Sequence, residues 1–128
     1  MPQFIYEGPN IDHLDEFTRS YIEAIYWTEC NEDREIPVDV EMAGETLKKI
    51  VEECKDFQEG SAGLLQTAYE EFISEYSAGI DFWLTRNGHG AGFWDRGMGE
   101  LGEKLTEFAE AYGSQDAYLG DDGLLYLG

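Results

Sequence analysis

Basic side chains are scarce in this chain: 8 lysines and arginines stand against 28 aspartates and glutamates, a formal charge of −20. Nucleic acid is itself a dense line of negative charge, so direct binding to DNA or RNA is disfavoured, as is binding to anionic membranes. Cysteine is nearly absent. Cys30 and Cys54 form no Cys-x-x-Cys pair and have no His-rich neighbourhood, which predicts two buried reduced thiols rather than a disulfide or a metal site. No stretch approaches the ~20 apolar residues of a membrane span. The start, MPQFIYEG, lacks the basic residues and apolar run of a signal peptide, so a cytoplasmic location is expected. Also missing are a Gly-rich phosphate loop ending in Lys-Ser/Thr, a Gly-x-Ser-x-Gly elbow, an internal repeat and a linker long enough to divide the chain.

What is present argues for one folded domain. The length of 128 residues fits a single core, and the aromatic share of 14% is high for so acidic a chain, whereas disordered acidic chains are poor in aromatics. Such a domain hides roughly 65–70% of its unfolded surface.

The fold class expected is α+β: a helical front half of about three helices, followed by β-hairpin, helix and β-hairpin. Residues 1–9 read as short and extended, with Asn10 or Asp12 as a cap. Ile11, Leu14, Phe17, Tyr21, Ile22 and Ile25 recur at helical spacing and predict a helix over about 11–28. Residues 29–41 hold six acids and Pro37 and read as an exposed acidic loop. A second helix is predicted over about 42–58 (Leu47, Ile50, Val51, Cys54, Phe57) and a third over about 62–77 (Leu65, Ala68, Tyr69, Phe72, Ile73, Tyr76). From residue 79 the pattern changes. Ile80, Phe82 and Leu84 alternate with Asp81, Trp83 and Thr85, which predicts a strand; Asn87-Gly88 reads as the turn of a hairpin, and Phe93-Trp94 as its return. A helix over about 98–112 stops at Gly113, and two apolar runs flanking Asp121-Asp122-Gly123 predict a final hairpin.

The most unusual stretch is Thr85 to Arg96, which concentrates Arg86, Asn87, His89, Asp95 and Arg96 around three glycines. An Asp that orients a His is a common acid–base pair, and an Arg fork holds anions. The plainer reading is that the glycines only allow the turn and that Asp95 pairs with Arg86 or Arg96 on the surface. Metal binding is weakly supported: His13 and Asp15 point to different helix faces, and Asp121-Asp122-Gly123 lacks the ligand alternation and closing Glu of a calcium loop. No metal and no cofactor is expected.

The acids form a pattern of their own. Glu16 and Glu23, Glu52, Asp56 and Glu59, Glu71 and Glu75, and Glu100, Glu103, Glu107 and Glu110 fall on the outer faces of predicted helices. Helical neighbours at these spacings lie about 5–6 Å apart, approaching the spacing of backbone phosphates. A rigid acidic surface can therefore offer carboxylates where a DNA-binding site takes phosphates. The competing reading is a solvated face of the kind halophilic proteins carry.

The run Asp81-Phe82-Trp83-Leu84-Thr85-Arg86-Asn87-Gly88-His89-Gly90-Ala91-Gly92-Phe93-Trp94-Asp95-Arg96-Gly97 resembles the signature of a family of small acidic, functionally uncharacterised proteins encoded by tailed bacteriophages and prophages. The following LGEKLTEFAEAYGSQDAYLGDDGLLY resembles the family's usual ending, and Ala24-Ile25-Tyr26-Trp27-Thr28-Glu29 echoes an earlier ALWST-like stretch. The resemblance covers about three quarters of the chain. It brings no catalytic residue, but it implies synthesis in a bacterial cytoplasm during infection.

Taken together, these features predict a phage-encoded acidic binding protein that inhibits a host nucleic-acid-handling or defence protein by charge mimicry. The partner would be a basic, nucleic-acid-binding host protein, and a binding role is favoured over an enzymatic one. Glu32, Asp33 and Glu35 join Glu100, Glu103, Glu107 and Glu110 as candidate contacts. The alternative is an enzyme or small-ligand protein with its site at the Arg86–Arg96 hairpin, through Arg86, Asn87, His89, Asp95 and Arg96. A third option is a structural phage component that assembles through exposed Trp83 and Trp94. The oligomeric state is left open.

Overall fold

The computed structural model describes residues 11–128. The expected extended start at 1–9 and the Asn10 cap lie outside them. Among the described residues the elements are α1 (Glu16–Glu29), α2 (Gly44–Gly60), α3 (Ala62–Glu71), α4 (Glu75–Arg86), α5 (Glu100–Glu110), β1 (Ala117–Leu119) and β2 (Leu125–Leu127). Short 3₁₀ turns occupy Glu32–Arg34 and Phe93–Asp95. The class is α+β, but it has five helices and one hairpin where the sequence predicts four helices and two hairpins.

The predicted strand over 79–86 is a helix. Its N-terminus is set by Ser74, whose side chain accepts a hydrogen bond from the backbone N–H of Ser77 at 3.0 Å. This cap also divides the predicted third helix. α3 ends at Glu71, and the N–H groups of Phe72 and Ile73 both turn back to the Ala68 carbonyl. Every residue from Ala78 to Arg86 is buried. A helix enclosed on all sides carries no amphipathic stripe, and over so short a run the alternation of Ile80, Phe82 and Leu84 with Asp81, Trp83 and Thr85 imitates a strand.

The predicted hairpin turn is the end of that helix. Gly88 (φ +68°) donates its N–H to Thr85 O at 3.2 Å, and His89 donates to Leu84 O at 3.0 Å. This is the Schellman pattern, in which a left-handed glycine satisfies the last carbonyls of a helix. Asn-Gly carries the same preference for positive φ in either setting.

The core gathers around α4. Phe57 of α2 stacks on Phe82 (centroids 4.2 Å apart), Tyr112 meets Phe82 edge-on at 5.1 Å, and Tyr21 of α1 meets Trp83 edge-on at 5.5 Å. Each such aromatic buries the equivalent of about 1.5–3 kcal/mol of transfer free energy. α1 and α4 share the most extensive helix contact, and Gly79 sits at their crossing against Phe17 O and the Ser20 hydroxyl. Trp83 is fully buried, which corrects its expected exposure, whereas Trp94 is half exposed. Cys30 and Cys54 are free and buried, as predicted. Burial pushes the Cys30 thiol up to about 12, with Glu29 adding to the effect, so it stays protonated at neutral pH.

The C-terminal hairpin forms as predicted, with Ala117 opposite Leu127 and Leu119 opposite Leu125. Gly123 takes positive φ (+79°) at its turn, and Asp122 accepts from Leu124 N–H at 3.0 Å. β2 also bonds to the segment before α2: Leu125 N–H donates to Glu41 O and Ala43 N–H donates to Leu125 O. No helix among the described residues is long and apolar enough to cross a membrane.

Candidate functional site

The conspicuous 81–97 segment proves to be a set of internal ties. Arg86, the last residue of α4, is buried. Its Nε donates to Gly113 O (2.8 Å) and one terminal nitrogen to Tyr112 O (2.9 Å); the other reaches Tyr21 Oη and Glu53 Oε1, both at 3.1 Å. The guanidinium therefore joins α4 to α1, to α2 and to the carbonyls that end α5. Burial alone would lower its pKa, but Tyr21 and Glu53 together reverse this and hold it above its ordinary value. Burial in turn pushes the Tyr21 phenol far up, so it remains neutral.

Asn87 donates to Trp83 O at 2.9 Å and accepts from Gln115 N–H at 2.7 Å, so it tethers the chain entering β1. Arg96 forms a two-pronged pair with Asp81, a residue the sequence reading did not mark as a site. The expected Asp95 pairing with Arg86 or Arg96 is not formed: both arginines bind other carboxylates, and Asp95 is exposed in a 3₁₀ turn. His89 is half buried, and among the described residues its imidazole has no carboxylate partner. Thr85 accepts from Phe93 N–H at 3.1 Å, and a Cβ at Gly92 would strike the same hydroxyl. Both the Asp–His pair and an open arginine fork, on which a site at this segment depends, are therefore lacking at Arg86, His89 and Asp95.

The acids are placed differently. Glu100, Glu103, Glu107 and Glu110 are all exposed on α5, and their spacings of three, four and three put them on one face. At 1.5 Å rise per residue the row runs about 15 Å along the helix. Lys104 approaches Glu100 at 3.7 Å, but both are exposed, so this pair contributes only a few tenths of a kcal/mol. Glu32, Asp33 and Glu35 are exposed at the 3₁₀ turn after α1, away from the α5 row in sequence. Asn31 caps that turn through Arg34 N–H (3.0 Å), and Glu35 closes it at φ +59°. Of the other acids predicted to face outward, Glu23 and Glu75 are half buried.

Three of the four arginines are paired with carboxylates. Arg86 is enclosed, Arg96 is held by Asp81, and Arg34 pairs with the buried Glu29 at 3.0 Å. Each of these pairs also takes up one carboxylate, so the acid excess of the chain is unchanged by them. Among the described residues, no group of three or more His, Cys, Asp or Glu side chains is placed to hold a metal ion. No protein-family model, curated protein or solved structure matches the chain.

Proposed function

We propose that this chain is a phage-encoded acidic binding protein that occupies a basic, phosphate-binding surface on a host nucleic-acid-handling or defence protein. The observation that carries this reading is the exposed row Glu100, Glu103, Glu107 and Glu110 on a single helix. That helix is anchored: Leu105 and Ala109 are buried, and Arg86 binds the carbonyls just beyond its end. Carboxylates on such a support are held in order before a partner arrives, so less ordering entropy opposes binding. The phage setting rests on the sequence resemblance alone, which is most specific over residues 81–97.

The test is capture from bacterial lysate on the immobilised protein, washed at low and then high salt, followed by titration of the captured protein. A triple variant, Glu103→Lys, Glu107→Lys and Glu110→Lys, should raise its Kd by about tenfold or more at low salt. Duplex DNA should compete for the same site. Unchanged affinity in the triple variant would remove α5 as the contact face.

A further inference from the structure

A second region sets two lysines beside two stacked tyrosines. A cavity of about 440 Å³ lies between α2 and the C-terminal hairpin, in the range of small-molecule sites. Lys48 and Lys49 line it, and among the described residues neither pairs with a carboxylate. Tyr118 and Tyr126 form another part of the wall, their rings stacked with centroids 5.8 Å apart. Gln115 also lines it, and its Oε1 is buried with no hydrogen-bond partner. An unsatisfied buried amide oxygen costs about 1–3 kcal/mol, which a donor from a ligand would recover. Glu45 and Glu52 complete the polar lining, while Glu53 is already bound to Arg86.

These groups ask for different things from one occupant. The lysine pair asks for an anion, the tyrosines for a planar ring, Gln115 Oε1 for an N–H donor, and the two glutamates for hydroxyl donors. A bare anion satisfies only the lysines. We propose that this cavity binds a nucleoside monophosphate. Its base lies against the tyrosine pair and donates an N–H to Gln115 Oε1. Its ribose hydroxyls donate to Glu45 or Glu52, and its phosphate sits between the ammonium groups of Lys48 and Lys49. Asn87, through Gln115 N–H, is a positioning residue for the base contact. The site is independent of the α5 surface.

The experiment is calorimetric titration of the full chain with each common ribonucleoside 5′-monophosphate, with the matching nucleoside, and with inorganic phosphate alone. Saturable binding with Kd of about 1 mM or tighter is expected for at least one nucleotide. The exposed pair Lys48→Ala and Lys49→Ala should weaken it about tenfold or more, and Gln115→Leu should weaken the nucleotide and the nucleoside alike. Circular dichroism of both variants should match the parent. The proposal is overturned by no saturable nucleotide binding, by equal affinity for inorganic phosphate, or by nucleotide affinity unmoved in both variants. Charge reversal on α5 should leave nucleotide affinity unchanged, so failure here and failure of the surface reading are told apart.

Discussion

Arg96 holds both carboxylate oxygens of Asp81, with its Nε 3.0 Å from Oδ2 and a terminal nitrogen 2.7 Å from Oδ1. Asp81 is completely buried on α4, and burial leaves its carboxyl above the ordinary range even with Arg96 opposed to that shift. The pair fixes the loop after α4 against the helix. Removing one partner of such a pair leaves the other uncompensated, at a cost of about 3–5 kcal/mol. Arg96→Ala should therefore destabilise strongly in urea denaturation, while Asp81→Asn with Arg96→Gln together should recover part of the loss. A double-variant loss equal to the sum of the two single-variant losses would show that the two side chains are not coupled.

Arg86 offers a sharper case, because all of its contacts are internal. Arg86→Lys keeps the charge but loses the planar fork that reaches Gly113 O, Tyr112 O, Tyr21 and Glu53 at once. It should cost about 2–3 kcal/mol in the unfolding midpoint, the loss expected for charged hydrogen bonds. A lysine variant as stable as the parent would mean that the carbonyl contacts at the end of α5 contribute nothing.

Gly79 makes a prediction of steric origin. A methyl group there would meet Phe17 O and the Ser20 hydroxyl where α1 crosses α4. Gly79→Ala gains helix propensity, worth about 1 kcal/mol in an open helix, yet it should lower stability by about 1–3 kcal/mol through forced separation of the helices. A rise in melting temperature would show that the crossing can relax.

Glu75 makes a prediction about pH. It is half buried in the first turn of α4, and burial, then Asp15 and Glu16, raise its pKa above 4.5. A carboxyl raised in the folded state contributes its stability below the unfolded value and loses it as pH rises through the folded one. Glu75→Gln should therefore raise the melting temperature at pH 7, and the gain should vanish as pH falls below 4.5. The helix dipole favours a carboxylate at this position, so a loss at pH 7 would mean that the dipole outweighs the neighbours.

The four amphipathic helices and the final hairpin were legible because each shows one face to the core and one to water. The Gly113 stop and the Asp121-Asp122-Gly123 turn were legible from turn chemistry alone. α4 was not, because its neighbours enclose it and its apolar residues fall on every side. Its one local signal was Ser74 ahead of Glu75, a cap and an acid at a helix start. Arg86 and Asn87 drew attention as site candidates, and the structure gives both internal partners, as polar groups shielded from water require. Those partners (Tyr21, Glu53, Gln115) lie far away in sequence, where no local pattern reveals them.

The bond between β2 and residues 41–43 has a consequence for how the chain is built. Leu125 bonds Glu41 and Ala43 through its backbone, and Thr46 donates its hydroxyl to Leu125 O at 3.1 Å. A nascent chain that has emerged as far as Tyr112 can pack α1 against α4, but the entrance to α2 still lacks the strand that orders it. Folding of the front half is thus completed from the back. Pairing at such sequence separation is slow relative to helix contacts, and until β2 arrives the edge at 41–43 stays open to any other extended strand in the cell.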